Sequence, residues 1–147
     1  MAAGPAPARI FTIADANAAL PELARRVDRL REIRDRARRI KEFLDILWQR
    51  LDAGEPVLTE IGERQRGLDA LSQEFARLVD EVDAFGVVLR DLDSGLVDFP
   101  ARVRGMPIYL CWRAGETRVA YWHGPTEGYA GRKSIATIAN PSGPLTS

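Results

Sequence analysis

The 147-residue sequence contains one cysteine, Cys111, and one histidine, His123. A lone thiol excludes an intramolecular disulfide and any zinc site built from several cysteines. A lone imidazole leaves one side chain whose ordinary titration falls near neutral pH. No apolar run approaches the roughly 20 residues that a membrane span requires. Residues 1–9, MAAGPAPAR, lack the basic start and apolar core of a secretory signal, so a cytoplasmic protein with a flexible tail over 1–10 is expected. Net charge is absent too, with 21 Lys and Arg against 21 Asp and Glu. What is present is a hydrophobic content of 46% and a charged content of 29%, the composition of a globular chain that fits a single domain.

Two apolar stripes dominate the first two thirds. Thr12, followed three residues later by Asp15, resembles a capping box, and Phe11 can cover the first turn. Pro21 has no N–H and crowds the carbonyl four residues back, which predicts a short helix over 13–19, a break, and a long helix opening at Pro21. Leu23, Val27, Leu30, Ile33, Ala37, Ile40, Leu44, Leu47 and Leu51 recur at spacings of three and four and predict one helix to about residue 52. The steps at 27, 30 and 33 break a strict heptad, favouring a short antiparallel bundle over a long two-stranded coil. Asp52-Ala53-Gly54-Glu55-Pro56 stops the helix. A second stripe, from Leu58 and Ile61 through Phe75, Leu78, Val82 and Phe85 to Leu89, predicts a helix over about 58–90 in spite of Gly62, Gly67 and Gly86.

The charges are segregated. Residues 25–50 hold ten basic and five acidic groups, and residues 51–93 hold four basic and eleven acidic, giving +5 against −7. Opposite signs on successive helices favour antiparallel pairing. The run Arg25, Arg26, Arg29, Arg31, Arg34, Arg36, Arg38, Arg39 and Lys41 invites a nucleic-acid reading, but Asp28, Glu32, Asp35 and Glu42 interrupt its field, and nucleic acid is disfavoured. Neither helix hides its stripe alone, so a third element or a second subunit is required, and a homodimer is expected.

The period changes after residue 94. Gly95 to Pro100 reads as a short extended segment limited by its proline. Ile108, Leu110 and Trp112 alternate with Tyr109, Cys111 and Arg113; Ala114-Gly115-Glu116 turns the chain, and Arg118 to His123 returns. A hairpin of 107–113 with 117–123 follows, with Val119, Tyr121 and His123 on one face and Arg118, Ala120 and Trp122 on the other. Gly124 to Arg132 is glycine-rich without the Gly-Lys-Ser/Thr ending of a phosphate loop, and is expected to fold back and bring Tyr129 to the aromatic surface. Residues 136–147 read as a flexible tail. The predicted fold is thus α+β: two long antiparallel helices over 11–93, then a small antiparallel hairpin and capping loop over 94–135.

Chemistry concentrates between 91 and 132, where Asp91, Asp93, Asp98, Arg102, Arg104, Arg113, His123, Glu127 and Arg132 lie among Phe99, Tyr109, Trp112, Tyr121, Trp122 and Tyr129. Arginines present paired donors to a carboxylate or phosphate, and tyrosines offer flat contact area. This defines a candidate ligand-binding set of Tyr109, Arg113, Tyr121, His123, Tyr129 and Arg132, for an anionic small molecule or a protein partner. Internal pairing to Asp93, Asp98 or Glu127 competes, first of all for Arg113. Trp112 and Trp122 read as structural anchors, and Cys111 as an ordinary strand thiol. Should Asp93, Asp98, His123 and Glu127 converge, they would offer oxygen and nitrogen ligands to Zn, Mn or Fe, the basis of an alternative reading as a metal-assisted hydrolase using Asp93, Asp98 and His123. Their spacing matches no recognised metal loop, so no cofactor is assigned.

These residues also carry a resemblance. Phe11-Thr12 and Asn17 to Pro21, the run Asp91-Leu92-Asp93-Ser94-Gly95-Leu96-Val97-Asp98-Phe99-Pro100, Tyr109 to Arg113, Tyr121-Trp122-His123 and Glu127 to Arg132 are similar to the bacterial and archaeal family catalogued as domain of unknown function 2203, over roughly residues 10–135. The resemblance implies one domain with its candidate surface in the C-terminal third, and assigns no reaction.

Overall fold

The structure, a computed structural model, describes residues 9–138. Of the tails expected over 1–10 and 136–147, residues 1–8 and 139–147 lie outside the described residues. Two long helices, α1 (Ile13–Asp52) and α2 (Leu58–Ala84), precede an antiparallel sheet of β1 (Val88–Asp91), β2 (Leu96–Val103), β3 (Met106–Arg113), β4 (Tyr121–His123) and β5 (Lys133–Ser134), which stand side by side in chain order. This is the expected α+β class, with five strands where a hairpin was predicted. Two compact units result, residues 9–28 with 81–138 and residues 29–80. No helix among the described residues is long and apolar enough to cross a membrane.

Thr12 and Asp15 form the reciprocal cap: the Asp15 N–H donates to Thr12 Oγ1 at 3.0 Å and the Thr12 N–H to the Asp15 carboxylate at 3.1 Å. The Thr12 N–H also holds the Asp15 carboxyl below its usual pKa. α1 then runs through Pro21 without the predicted break. Proline removes the bond to the Asn17 carbonyl and costs about 3 kcal/mol or more. Ala16, Leu20, Leu23 and Val27 are all buried on either side of it, and each buried Leu or Val contributes roughly 1.5–3 kcal/mol. Keeping them on one face outweighs the lost bond.

In the unit of residues 29–80 the helices pack through Leu44, Leu47, Val57 and Ile61, flanked by Ile40, Phe43, Leu51 and Leu68. Arg29 grips Glu74 with two bonds of 2.7 Å, so the basic helix meets the acidic one as the charge segregation predicts. Gly54, at φ +91°, ends α1. In the other unit Arg26 pairs with Glu81 at 2.9 Å. α2 stops at Ala84, short of the predicted 90, because Gly86 turns the chain at φ +84°. Leu89, read as part of the helical stripe, lies in β1 instead.

β2 continues past Pro100 to Val103. In an antiparallel strand the N and C=O of one residue point to the same neighbour, and the Pro100 carbonyl accepts from the Phe11 N–H at 2.7 Å. The missing proline N–H therefore faces the segment entering α1, and the β2–β3 ladder loses nothing. Arg104 (φ 53°) and Gly105 (φ 81°) then make a two-residue turn with both residues left-handed, the geometry that matches strand twist. The β3–β4 hairpin forms with Tyr109 opposite His123, Leu110 opposite Trp122 and Cys111 opposite Tyr121. It is shorter than the predicted 117–123, because the Val119 N–H donates to Asn17 Oδ1 at 2.8 Å and buries its side chain there, drawing residues 117–120 off the ladder. Order also reaches into the predicted tails. Arg9 lies over the Phe11 ring, Thr137 accepts from the Trp122 indole N–H at 2.8 Å, and Ile138 is buried.

Val97, Phe99, Ala101, Ile108, Leu110 and Trp112 fill one face of the sheet and are buried, with Phe99 edge-on to Phe11 at 5.1 Å. Beside this core Gly95 holds φ +67°, and a Cβ there would stand 2.4 Å from Ala114 Cβ. Gly95→Ala is expected to destabilise the chain by roughly 1–3 kcal/mol, read as a lower urea midpoint at unchanged slope. A midpoint equal to that of the parent would show that the β1–β2 turn relaxes freely.

Candidate functional site

Cross-strand partners share a face of the sheet. The register therefore sets Asp98, Cys111 and Tyr121 in one row across β2, β3 and β4, and Pro100, Tyr109 and His123 in the next, opposite the apolar face. The strands either side of β3 stand roughly 9–10 Å apart, and Asp98 and His123 belong to adjacent rows on them. Their side chains nevertheless meet, with His123 Nε2 at 2.9 Å from Asp98 Oδ2. Cys111, between them on β3, is small enough to allow it. Both are sealed, at 1% exposure for Asp98 and 3% for His123. The β1 register slips between Leu89 and Asp91, making Arg90 the extra residue of a bulge, a device that re-aims a side chain. Arg90 Nε donates to Asp98 Oδ2 at 2.8 Å, a bond that raises the Arg90 pKa, and its guanidinium lies over the Tyr109 ring.

Hydrogen-bond chemistry restricts the protons of this centre. His123 Nδ1 is 2.8 Å from the Gly124 carbonyl, which can only accept, so Nδ1 carries a hydrogen. The contact from Nε2 to Oδ2 is then a hydrogen bond only if the pair shares one further proton. Asp98 Oδ1 is buried without a hydrogen-bond partner. Asp98, Cys111 and His123 each offer a metal-ligand atom, and these atoms lie within 4.8 Å of one another. Burial, and next the charge of Asp98, push the Cys111 thiol up to about 11. A thiol held this far above its ordinary range is not an activated nucleophile.

A second layer borders this centre. Arg132 lies 3.9 Å from the centroid of the Tyr121 ring and 4.6 Å from that of Tyr129. Its guanidinium makes paired bonds of 2.8 and 2.9 Å to the Glu116 carboxylate. Burial opposes the Arg132 charge, but the Glu116 bonds prevail and raise its pKa. Arg113 is exposed and donates to the Tyr129 hydroxyl at 3.3 Å. The Tyr109 and His123 rings tilt together at 5.5 Å.

The six predicted ligand residues thus fall into two linked groups, Tyr109 with His123 and Arg132 with Tyr121, Tyr129 and Arg113. The ion pair predicted first for Arg113 is made by Arg132, and with Glu116 rather than Asp93, Asp98 or Glu127. Convergence of Asp93, Asp98, His123 and Glu127 holds for Asp98 and His123 alone. Asp93 sits in the turn between β1 and β2, and Glu127 bonds the Gly124 N–H and Lys133, the ammonium above all holding its carboxyl below the usual range. Cys111, read as an ordinary thiol, takes their place. The signal that would have found it is the Arg104-Gly105 turn, since a two-residue loop there sets Asp98 opposite Cys111.

A helical hairpin leading into a five-stranded meander with a sealed polar centre defines a class by architecture rather than by known chemistry. Residues 9–135 match the family described as an uncharacterized conserved protein (DUF2203), and the chain belongs to that family. No curated protein and no solved structure gives a match.

A thiol protonated up to about pH 11 and fully buried is expected to react with a disulfide reagent at pH 7 roughly a hundredfold more slowly than a free cysteine. The rate should rise to the free value in denaturing urea. Reaction of the folded chain at the free-thiol rate would show that Cys111 is not sealed.

Proposed function

We propose that this chain is a small cytoplasmic binding module that takes a planar anionic small molecule on the outer face of its sheet, through Tyr121, Tyr129 and Arg113. The observation that carries this reading is the bracketing of Arg132 by the two tyrosine rings, beside the exposed Arg113 guanidinium. With its charge answered by Glu116, Arg132 serves to hold the rings in place, and Arg113 makes the ionic contact. Half-buried Tyr109 extends the same surface toward Arg90, and His123, sealed beneath it, supports that ring without reaching a ligand. Preorganised rings lose little entropy on binding, and a rigid guanidinium fork orients a carboxylate or phosphate.

The competing hydrolase reading retains the Asp98–His123 contact and loses Asp93. It would further require His123 to give up one of its two bonds before it moved a proton to or from substrate. Binding is therefore preferred to turnover. A screen of aromatic carboxylates and mononucleotides, followed by amide and side-chain NMR shifts, tests the proposal. Saturable shifts confined to Arg113, Tyr121, Tyr129 and their neighbours are expected, with affinity reduced about tenfold or more by Arg113→Ala. Absence of saturable shifts at millimolar ligand, or affinity indifferent to Arg113→Ala, would remove the site.

The same reading retains a homodimer. Ile46, Trp48 and Leu58 stand exposed on the helical unit, and a large exposed aromatic is the kind of anchor that subunit contacts use. Light scattering is expected to give twice the chain mass, and Trp48→Glu to return it to a monomer. A parent chain of single mass at high concentration would exclude the dimer.

A further inference from the structure

We propose that Asp98, Cys111 and His123 form a binding site for a borderline transition-metal ion of the zinc class. Thiolate, imidazole and carboxylate are the ligand types such ions select. The three ligand atoms already lie within 4.8 Å of one another. Tetrahedral ligands around an ion at about 2.0–2.3 Å stand roughly 3.4–3.6 Å apart. Small side-chain rotations, opening the 2.9 Å contact between His123 and Asp98 and drawing in the thiol, convert one arrangement to the other.

Three further features point to a ligand. Asp98 Oδ1 is a buried acceptor that no N–H or O–H donor reaches, the Cys111 thiol being the one remaining weak donor to this carboxyl, and an ion bound at Oδ1 would take the place of that weak contact. The His123 Nδ1–H is tied to the Gly124 carbonyl, leaving Nε2 to face Asp98. Arg90 is tied to Oδ2, so that oxygen can keep its partner while Oδ1 ligates. A backbone carbonyl on the distal ring nitrogen and a donor on the distal carboxylate oxygen are the outer contacts that orient metal ligands.

Charge balance answers the objection raised by the two nearby arginines. The Cys111 thiol carries one proton, and the His123–Asp98 contact is a hydrogen bond when that pair holds one more. A divalent ion displaces both to solvent, forming bonds to sulfur, nitrogen and oxygen with no change of oxidation state. Two positive charges leave and two arrive, so neither Arg90 nor Arg132 meets any added repulsion. Three protein ligands leave a fourth position for water, and an ion held there would tie β2, β3 and β4 together. This inference goes beyond the surface reading and does not depend on it.

The full chain, treated with chelator, would be titrated with Co²⁺ alone and then with Zn²⁺. Expected are one Co²⁺ per chain with thiolate-to-cobalt charge transfer and tetrahedral d–d absorption, displacement by one Zn²⁺, and release of about two protons per ion bound near neutral pH. Cys111→Ser should abolish the charge-transfer band, and Asp98→Asn or His123→Gln should weaken Zn²⁺ by more than the roughly 10–100-fold effect of outer contacts. Arg113→Ala should leave all of this unchanged, which separates the metal site from the ligand surface above it. Co²⁺ bound without a thiolate band in the parent chain, or no stoichiometric uptake at micromolar ion, overturns the proposal without recourse to any variant.

Discussion

Burying the Asp98 carboxyl beside the His123 ring constrains the outer face of the sheet more than any other contact there. A carboxylate and an imidazole removed from water must find partners or destabilise the fold, and several local features answer that requirement. Cys111 is small enough to let the two side chains meet across β3. The bulge in β1 turns Arg90 onto the second bond of Oδ2. The chain leaves β4 at Gly124 with its carbonyl facing His123 Nδ1. Each of these departures from regular strand geometry serves the same pair.

The layer bordering this centre follows the same electrostatic logic with less burial. Arg132 is desolvated, so Glu116 matches it, and the flat faces of Tyr121 and Tyr129 take up its remaining surface. Glu116 is set for that task by the turn after β3, where it also accepts the Arg113 backbone N–H at 2.8 Å. The helices resolve their charges separately. Within each unit basic residues of α1 meet acidic residues of α2, through Arg29 and Glu74 in one and Arg26 and Glu81 in the other. Such exposed or half-exposed pairs add little stability singly, but their consistent sign along the helices fixes which faces come together.

Much of the fold was legible because it rests on local rules. Thr12 and Asp15 announced the cap, the three-and-four spacing announced both helices, and the alternation from Ile108 to Arg113 announced β3. Misreadings came where a local rule met a tertiary one. Pro21 and Pro100 were read as stops, but burial on both sides of Pro21 and the position of Phe11 beside Pro100 rendered each tolerable. Leu89 fits the helical period and the strand period alike, and the left-handed Gly86 decided between them. For the candidate site, the residue types of the aromatic and arginine layer were visible while their pairings were not, since Glu116 lies outside the motifs that drew attention. Cys111 was passed over because a cysteine between Leu110 and Trp112 looks the same whether or not a carboxyl and an imidazole stand beside it.

The sequence by itself determined the α+β order, the cap, the helix stripes and their opposed charges, and the confinement of unusual chemistry to the last third of the chain. These depend on spacing and on residue type, which a linear chain displays. The tertiary structure alone decided that β2 and β4 would flank β3 in a register that brings Asp98 and His123 together over Cys111, and that Glu116 would claim Arg132. Those outcomes depend on which residues face each other across strands and on what burial removes from water, and neither is a property of neighbours along the chain.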